Sequence, residues 1–134
     1  MSEYYGSEAL NHALDELRRE WGFPPSFGLR QFLERWERFV QSVEVGYEGS
    51  LDDYIQNLEI RDSLNTLLRR LPAEERQEIA SLLSKWDERL RFTTRPTSFP
   101  LAPRGEEVDS FWWSRVPLQL TGQLLENLRK EGYV

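Results

Sequence analysis

The sequence predicts an all-α fold, a compact bundle of about five helices with a proline-rich extended arm before the C-terminal helices. Three observations support this prediction. Five segments carry apolar residues at helical spacings of three and four, no segment alternates like a half-buried strand, and residues 93–106 are rich in proline. Because 134 residues are the length of one domain, we interpret residues 1–134 as a single helical domain.

The first predicted helix spans residues 7–21. Ser7 is a suitable N-cap, because its side chain can accept a hydrogen bond from a backbone N–H of the first turn. Gly22 is expected to end the helix, since glycine readily adopts the left-handed conformation found just beyond helix C-termini. Two prolines follow this glycine and prevent continuation of the helix.

The second predicted helix spans residues 26–45 and has the strongest amphipathic pattern in the chain. Apolar residues from Leu29 to Val43 form one broad stripe, which is typical of a helix that packs on a core. Glu34 and Arg38 lie on the opposite face, at the i, i+4 spacing that favours an ion pair.

The third predicted helix, residues 51–70, has two apolar faces on opposite sides. Leu51 begins one face and Leu64 belongs to the other. No glycine or proline interrupts the segment, so we interpret it as one central helix buried on both sides. Asp62 continues the first apolar face, and a buried carboxylate needs a partner. The sequence therefore predicts that Asp62 is buried and meets an arginine.

The fourth predicted helix, residues 72–92, follows the third after a tight turn, so the two are expected to form an antiparallel hairpin. An arm or loop occupies residues 93–106, a short helical turn residues 109–115, and the final helix begins at Pro117. The predicted buried stripe of the fourth helix consists of Ile79, Leu82, Leu83, Trp86 and Leu90. The predicted apolar face of the final helix consists of Leu118, Leu120, Leu124, Leu125 and Leu128.

The composition excludes several classes of function. The chain has no cysteine, which excludes disulfides, thiolate metal sites and thiol catalysis. Its net charge of −6 disfavours binding to nucleic acid, although residues 69–104 carry a local excess of basic side chains. No apolar run reaches the roughly 20 residues of a membrane span, and the first residues do not resemble a secretory signal. We therefore expect a cytoplasmic protein that does not associate with a membrane.

Catalytic and cofactor motifs are scarce. His12 is the only histidine, so a zinc or di-iron site lacks ligands, and neither a glycine-rich phosphate loop nor a nucleophile elbow is present. We expect no metal and no cofactor. Carboxylate pairs recur at helical spacing, as at Glu34 with Glu37 and Glu59 with Asp62. These pairs keep open the alternative of a small Mg²⁺-dependent nucleotide-hydrolysing enzyme.

The run Phe111-Trp112-Trp113 is the most unusual local feature. Adjacent residues of a helix point about 100° apart, so at least one ring is expected near the surface. Aromatic residues dominate binding hot spots, and Arg115 lies beside these rings. Two interpretations remain open: the rings close the end of the bundle beneath the arm, or Phe111, Trp112, Trp113 and Arg115 contact a partner.

Together these features favour a non-enzymatic protein, either a protein–protein interaction module or a homodimer. An acidic helical domain of this size can present a charged face to another protein. Besides the Mg²⁺-dependent enzyme, a small-molecule or peptide binder with a pocket lined by Trp112 or Trp113 is a second alternative.

Overall fold

The computed structural model describes residues 7–97 and 115–133. Within these residues, five α-helices form one bundle, and a small antiparallel ribbon precedes the last helix, which confirms the predicted all-α fold. The elements are α1 (Glu8–Trp21), α2 (Leu29–Val45), α3 (Leu51–Arg69), α4 (Ala73–Thr93), β1 (Thr94–Pro96), β2 (Arg115–Pro117) and α5 (Gly122–Lys130). Among the described helices, none combines the length and apolar character that crossing a bilayer requires.

Local signals in the sequence set both ends of α1. The Ser7 hydroxyl accepts a hydrogen bond from the N–H of Leu10 at 3.2 Å, as expected of an N-cap. Gly22 has a φ of 77°, and its N–H donates to the carbonyl oxygen of Arg18 at 2.9 Å. A residue with a side chain is strained at this φ, so the glycine ends the helix for the predicted reason.

The start of α2 differs from the prediction, since the helix begins at Leu29 rather than at residue 26. The N–H of Phe27 donates to the carbonyl oxygen of Pro24 at 3.0 Å, which closes a turn over the preceding residues. Gly28 is the N-cap, and its N–H donates to the side-chain oxygen of Gln31 at 2.8 Å. The turn occupies residues 24–27, so the helix begins only after Gly28. The Gln31 side chain then satisfies the Gly28 N–H, which has no partner within the helix.

α3 lies at the centre of the bundle, as its two apolar faces predicted. Leu58 and Leu64 belong to different faces, and both are 0% exposed. Helices α1, α2, α4 and α5 all contact α3. The predicted α3–α4 hairpin is present, but α4 packs more extensively against α2 than against α3. The core is therefore built around α3, and α4 packs mainly on α2.

A short β-ribbon corrects the expectation that the chain has no strands. In this ribbon β1 pairs antiparallel with β2, and Arg95 lies opposite Val116. The Tyr54 hydroxyl donates to the carbonyl oxygen of Arg115 at 3.0 Å and so ties β2 to α3. Strands of three residues are too short for an alternating pattern to be recognised, because alternation needs at least about four residues.

The predicted start of the final helix at Pro117 is wrong. Pro117 belongs to β2, and the N–H of Leu118 donates to the carbonyl oxygen of Thr93 at 3.0 Å, which extends the pairing by one residue. Leu118 is 56% exposed and does not belong to the apolar face of a helix. α5 begins only at Gly122, where Leu124 and Leu128 supply its buried face.

Two predicted segments fall partly outside the described residues. Of the arm or loop at residues 93–106, the structure describes only the end of α4, β1 and Thr97. Of the helical turn at residues 109–115, it describes only Arg115, which lies in β2 rather than in a helix.

Candidate protein-binding surface

The described part of the chain contains one of the four residues predicted to contact a partner, Arg115. The other three, Phe111, Trp112 and Trp113, lie outside the described residues.

Arg115 binds the C-terminal end of α4. Its Nε donates to Thr94 Oγ1 at 2.8 Å, and its Nη2 donates to the carbonyl oxygens of Thr94 at 2.9 Å and Arg91 at 3.2 Å. A cation on the last carbonyls of a helix is favoured by the helix dipole. Partial burial, with the nearby Arg91 charge, lowers the pKa of Arg115. In the described part of the chain, this guanidinium joins β2 to α4.

We expect Arg115→Ala to lower the free energy of unfolding by about 1–2 kcal/mol, because three hydrogen bonds from a charged group are lost. Urea denaturation followed by circular dichroism measures the effect. Arg129→Ala is the control, since Arg129 is exposed and forms no side-chain hydrogen bond within residues 7–97 and 115–133. If Arg115→Ala unfolds like wild type but loses a binding partner, Arg115 acts in recognition instead.

A buried charge cluster joins α2, α3 and α4. The Asp87 carboxylate accepts hydrogen bonds from Arg61 Nε at 3.1 Å, Arg61 Nη2 at 2.8 Å and Trp36 Nε1 at 2.9 Å. Arg61 is buried. The neighbouring Asp62, which the sequence predicted to be buried, is buried as well. The Asp87 carboxylate already accepts three hydrogen bonds, and the Arg61 charge neutralises it. We therefore interpret the cluster as structural rather than catalytic.

Sequence reasoning missed this pairing, although a signal was present. Asp87 lies four residues after Leu83 and three residues before Leu90, on the buried side of α4. A carboxylate at such a position predicts a buried cation on a neighbouring helix. The pattern of apolar residues pointed only to Asp62, which is buried as predicted.

The carboxylate pairs of α2 and α3 do not converge. Among the described residues, no three histidine, aspartate or glutamate side chains are placed to hold a metal ion. Glu34 and Glu37 line separate grooves, on opposite flanks of α2. The Mg²⁺-dependent alternative needs these residues close to Glu59 and Asp62, and the described part of the chain does not bring the four together.

Exposed apolar residues mark the outer flank of α4. Leu82 is 44% exposed, although the sequence placed it in the buried stripe, and Phe92 is 77% exposed. Lys85 and Arg89 lie between them at spacings of three and four, so the four side chains follow one another along the helix. Trp86 is half-buried beside this stripe. The row therefore presents two exposed apolar side chains and two cations on one side of α4.

A groove adjoins the stripe between α2 and α4. It encloses about 290 Å³ and is lined by Leu33 and Glu37 on α2 and by Leu82 and Trp86 on α4. We use the name α2–α4 surface for the groove and the stripe together. The α2–α4 surface consists of Leu33, Glu37, Leu82, Lys85, Trp86, Arg89 and Phe92.

The rim of the α2–α4 surface is held in place before any partner binds. The Arg89 guanidinium lies 4.5 Å from the ring centre of Trp86, and Lys85 Nζ lies 5.1 Å from it. Arg89 also forms a two-pronged ion pair with the Glu44 carboxylate, which raises the pKa of Arg89. Side chains that are already ordered lose less conformational entropy when a partner binds.

Comparison of the chain with protein-family models, with curated proteins and with solved structures gave no significant match. Function is therefore inferred from the chemistry and shape of the α2–α4 surface.

Proposed function

We propose that this chain is a non-enzymatic protein-binding domain and that the α2–α4 surface is its binding surface. The observation that supports this proposal most directly is the exposed stripe that contains Leu82 and Phe92 and continues into a groove. Single exposed apolar residues are common on proteins. Here two of them lie on one side of α4 beside a groove lined by a tryptophan, a residue enriched in binding hot spots. Full burial of an exposed apolar side chain contributes about 1.5–3 kcal/mol, and Leu82, which is only 44% exposed, contributes correspondingly less.

The size of the groove favours a protein partner over a small molecule. Its volume of about 290 Å³ is at the lower limit for ligand pockets, which typically enclose roughly 300–1,000 Å³. From Leu82 to Phe92 the stripe runs along α4 for about 15 Å, at 1.5 Å per residue. A partner helix or strand can follow this length while one side chain enters the groove beside Trp86.

The partner can be a different protein or a second copy of this chain, because both can bury the same apolar stripe. Static light scattering at micromolar concentration separates the two. A dimer that Leu82→Gln dissociates supports self-association through the α2–α4 surface. If the chain is a monomer, its partner is expected among the other proteins of the native cell.

We expect Leu82→Gln to weaken partner binding by about tenfold or more, since it places a polar side chain at the groove, and an effect of 1.4 kcal/mol corresponds to a factor of ten. Binding is measured by affinity capture from native extract with quantitative mass spectrometry, or by light scattering for a dimer. Thermal stability should stay near wild type, because Leu82 is already 44% exposed.

Leu118→Gln is the matched control. Leu118 is also an exposed leucine, but it follows β2 and lies outside the α2–α4 surface. The proposal predicts that Leu118→Gln retains the same partner as wild type. Equal retention by Leu82→Gln, or loss of the partner in both variants, contradicts the assigned surface.

A further inference from the structure

A second groove lies on the other flank of α2, against α3. It encloses about 380 Å³, and its lining includes Phe27 before α2, Arg35 and Arg38 on α2, and Asn57 on α3. The α2–α4 surface uses Leu33 and other residues of the opposite flank. The two sites are therefore independent.

Arg35 and Arg38 are two exposed arginines that line the same groove. Within residues 7–97 and 115–133, neither side chain forms a salt bridge or a hydrogen bond, and the Glu34–Arg38 pair expected from the sequence is not formed. The chain holds 23 acidic against 17 basic residues, so carboxylate partners are in excess. Two neighbouring arginines without a carboxylate are thus available to an external anion.

Three of the polar side chains that line this groove, Gln31, Arg35 and Arg38, can donate hydrogen bonds to a ligand. The side-chain oxygen of Gln31 accepts the N–H of Gly28 at 2.8 Å, so the amide group of Gln31 is left to act as a donor. Glu34 contributes one negative charge against the two positive charges of Arg35 and Arg38. Guanidinium and amide donors together bind carboxylates well.

An aromatic ring gives the groove an apolar part. Phe27 is partly exposed, and its ring is stacked on Phe23 at 5.2 Å and meets the edge of Phe32 at 4.7 Å between ring centres. These contacts hold the ring in one position. An apolar side chain of a ligand can therefore pack on Phe27 while charged groups reach the arginines.

We propose that this groove binds an acidic peptide segment of a partner protein, with two carboxylates on Arg35 and Arg38 and an apolar side chain on Phe27. Residues three apart on a helix have Cβ atoms about 5–6 Å apart, which suits two carboxylates of one short segment. The overall charge of −6 does not prevent this binding. Charges are screened beyond about 10 Å at 0.1 M salt, so the local arginines dominate.

The test uses the full chain and a fluorescein-labelled acetyl-Glu-Glu-Phe-Glu-Glu-amide peptide, with binding followed by fluorescence anisotropy. We expect this peptide to bind and its Lys-Lys-Phe-Lys-Lys counterpart not to bind. Arg35→Ala/Arg38→Ala should weaken binding by about tenfold or more, and added salt should weaken it further. Arg76→Ala/Arg129→Ala removes the same charge from exposed positions elsewhere and should bind as wild type does.

Several results would overturn the proposal. These are no binding of the acidic peptide to the wild-type chain, an equal loss in both double variants, or equal binding of a Glu-Glu-Ser-Glu-Glu peptide. Complete competition by inorganic phosphate at the peptide's own concentration also contradicts it, because the groove is then a simple anion site. Leu82→Gln should leave peptide binding unchanged, so the two sites succeed or fail separately.

Discussion

Replacing Asp87 by alanine is expected to lower the free energy of unfolding by about 3–5 kcal/mol. The substitution removes the carboxylate that neutralises the buried Arg61 and accepts the indole N–H of Trp36. Removal of one partner from a buried ion pair is costly, because the other charge remains in a medium of low polarity. Domains have about 5–15 kcal/mol of total stability, so this change threatens folding at elevated temperature.

Two further variants show whether the charge itself causes the loss. Arg61→Leu/Asp87→Leu removes both charges and should cost much less than Asp87→Ala, because no isolated charge is left buried. Glu88→Ala, at an exposed neighbouring position, should change stability by less than about 0.5 kcal/mol. Urea denaturation monitored by circular dichroism gives all three values. A loss below about 1 kcal/mol for Asp87→Ala would show that the cluster is not a structural centre.

The second large effect concerns α3. We expect Leu58→Ala and Leu64→Ala each to lower the free energy of unfolding by about 2–5 kcal/mol. Both side chains are 0% exposed, and they belong to different faces of the helix. Each truncation removes buried apolar area and leaves a cavity that neighbouring helices fill only in part.

Leu82→Ala is the matched control for these truncations. Leu82 is also a helical leucine, but it is 44% exposed on α4, so its truncation should cost less than about 0.5–1 kcal/mol. The same denaturation experiment compares the three variants. A small loss at either Leu58 or Leu64, similar to that of the control, would mean that the corresponding face of α3 is not buried.

Much of the helical framework could be predicted because the signals are local. Ser7 and Gly22 set the ends of α1 through hydrogen bonds to residues within one turn. The two apolar faces of α3 required packing on both sides, whatever the surrounding helices are. Periodicity and capping therefore sufficed to predict the four helices before residue 93, apart from the start of α2.

The candidate binding sites could be predicted only in part. Leu82 looked like a core residue because it lies within the apolar pattern of α4, and only the packing of α4 against α2 shows that this flank is exposed. Arg35 and Arg38 looked like ordinary surface residues, since the groove that they line forms only where α2 packs beside α3. The aromatic run at residues 111–113 stays a prediction.

The sequence by itself determined that four helices precede residue 93 and that α3 is central, because these properties follow from residues a few positions apart. Only the tertiary structure decided that Asp87 meets Arg61, and that residues 94–96 pair with residues 115–117. Such contacts join residues that are distant in the chain, and no local pattern specifies which distant partner is chosen. The exposed flank of α4 follows from the same cause, since the way helices pack decides which apolar residues remain uncovered.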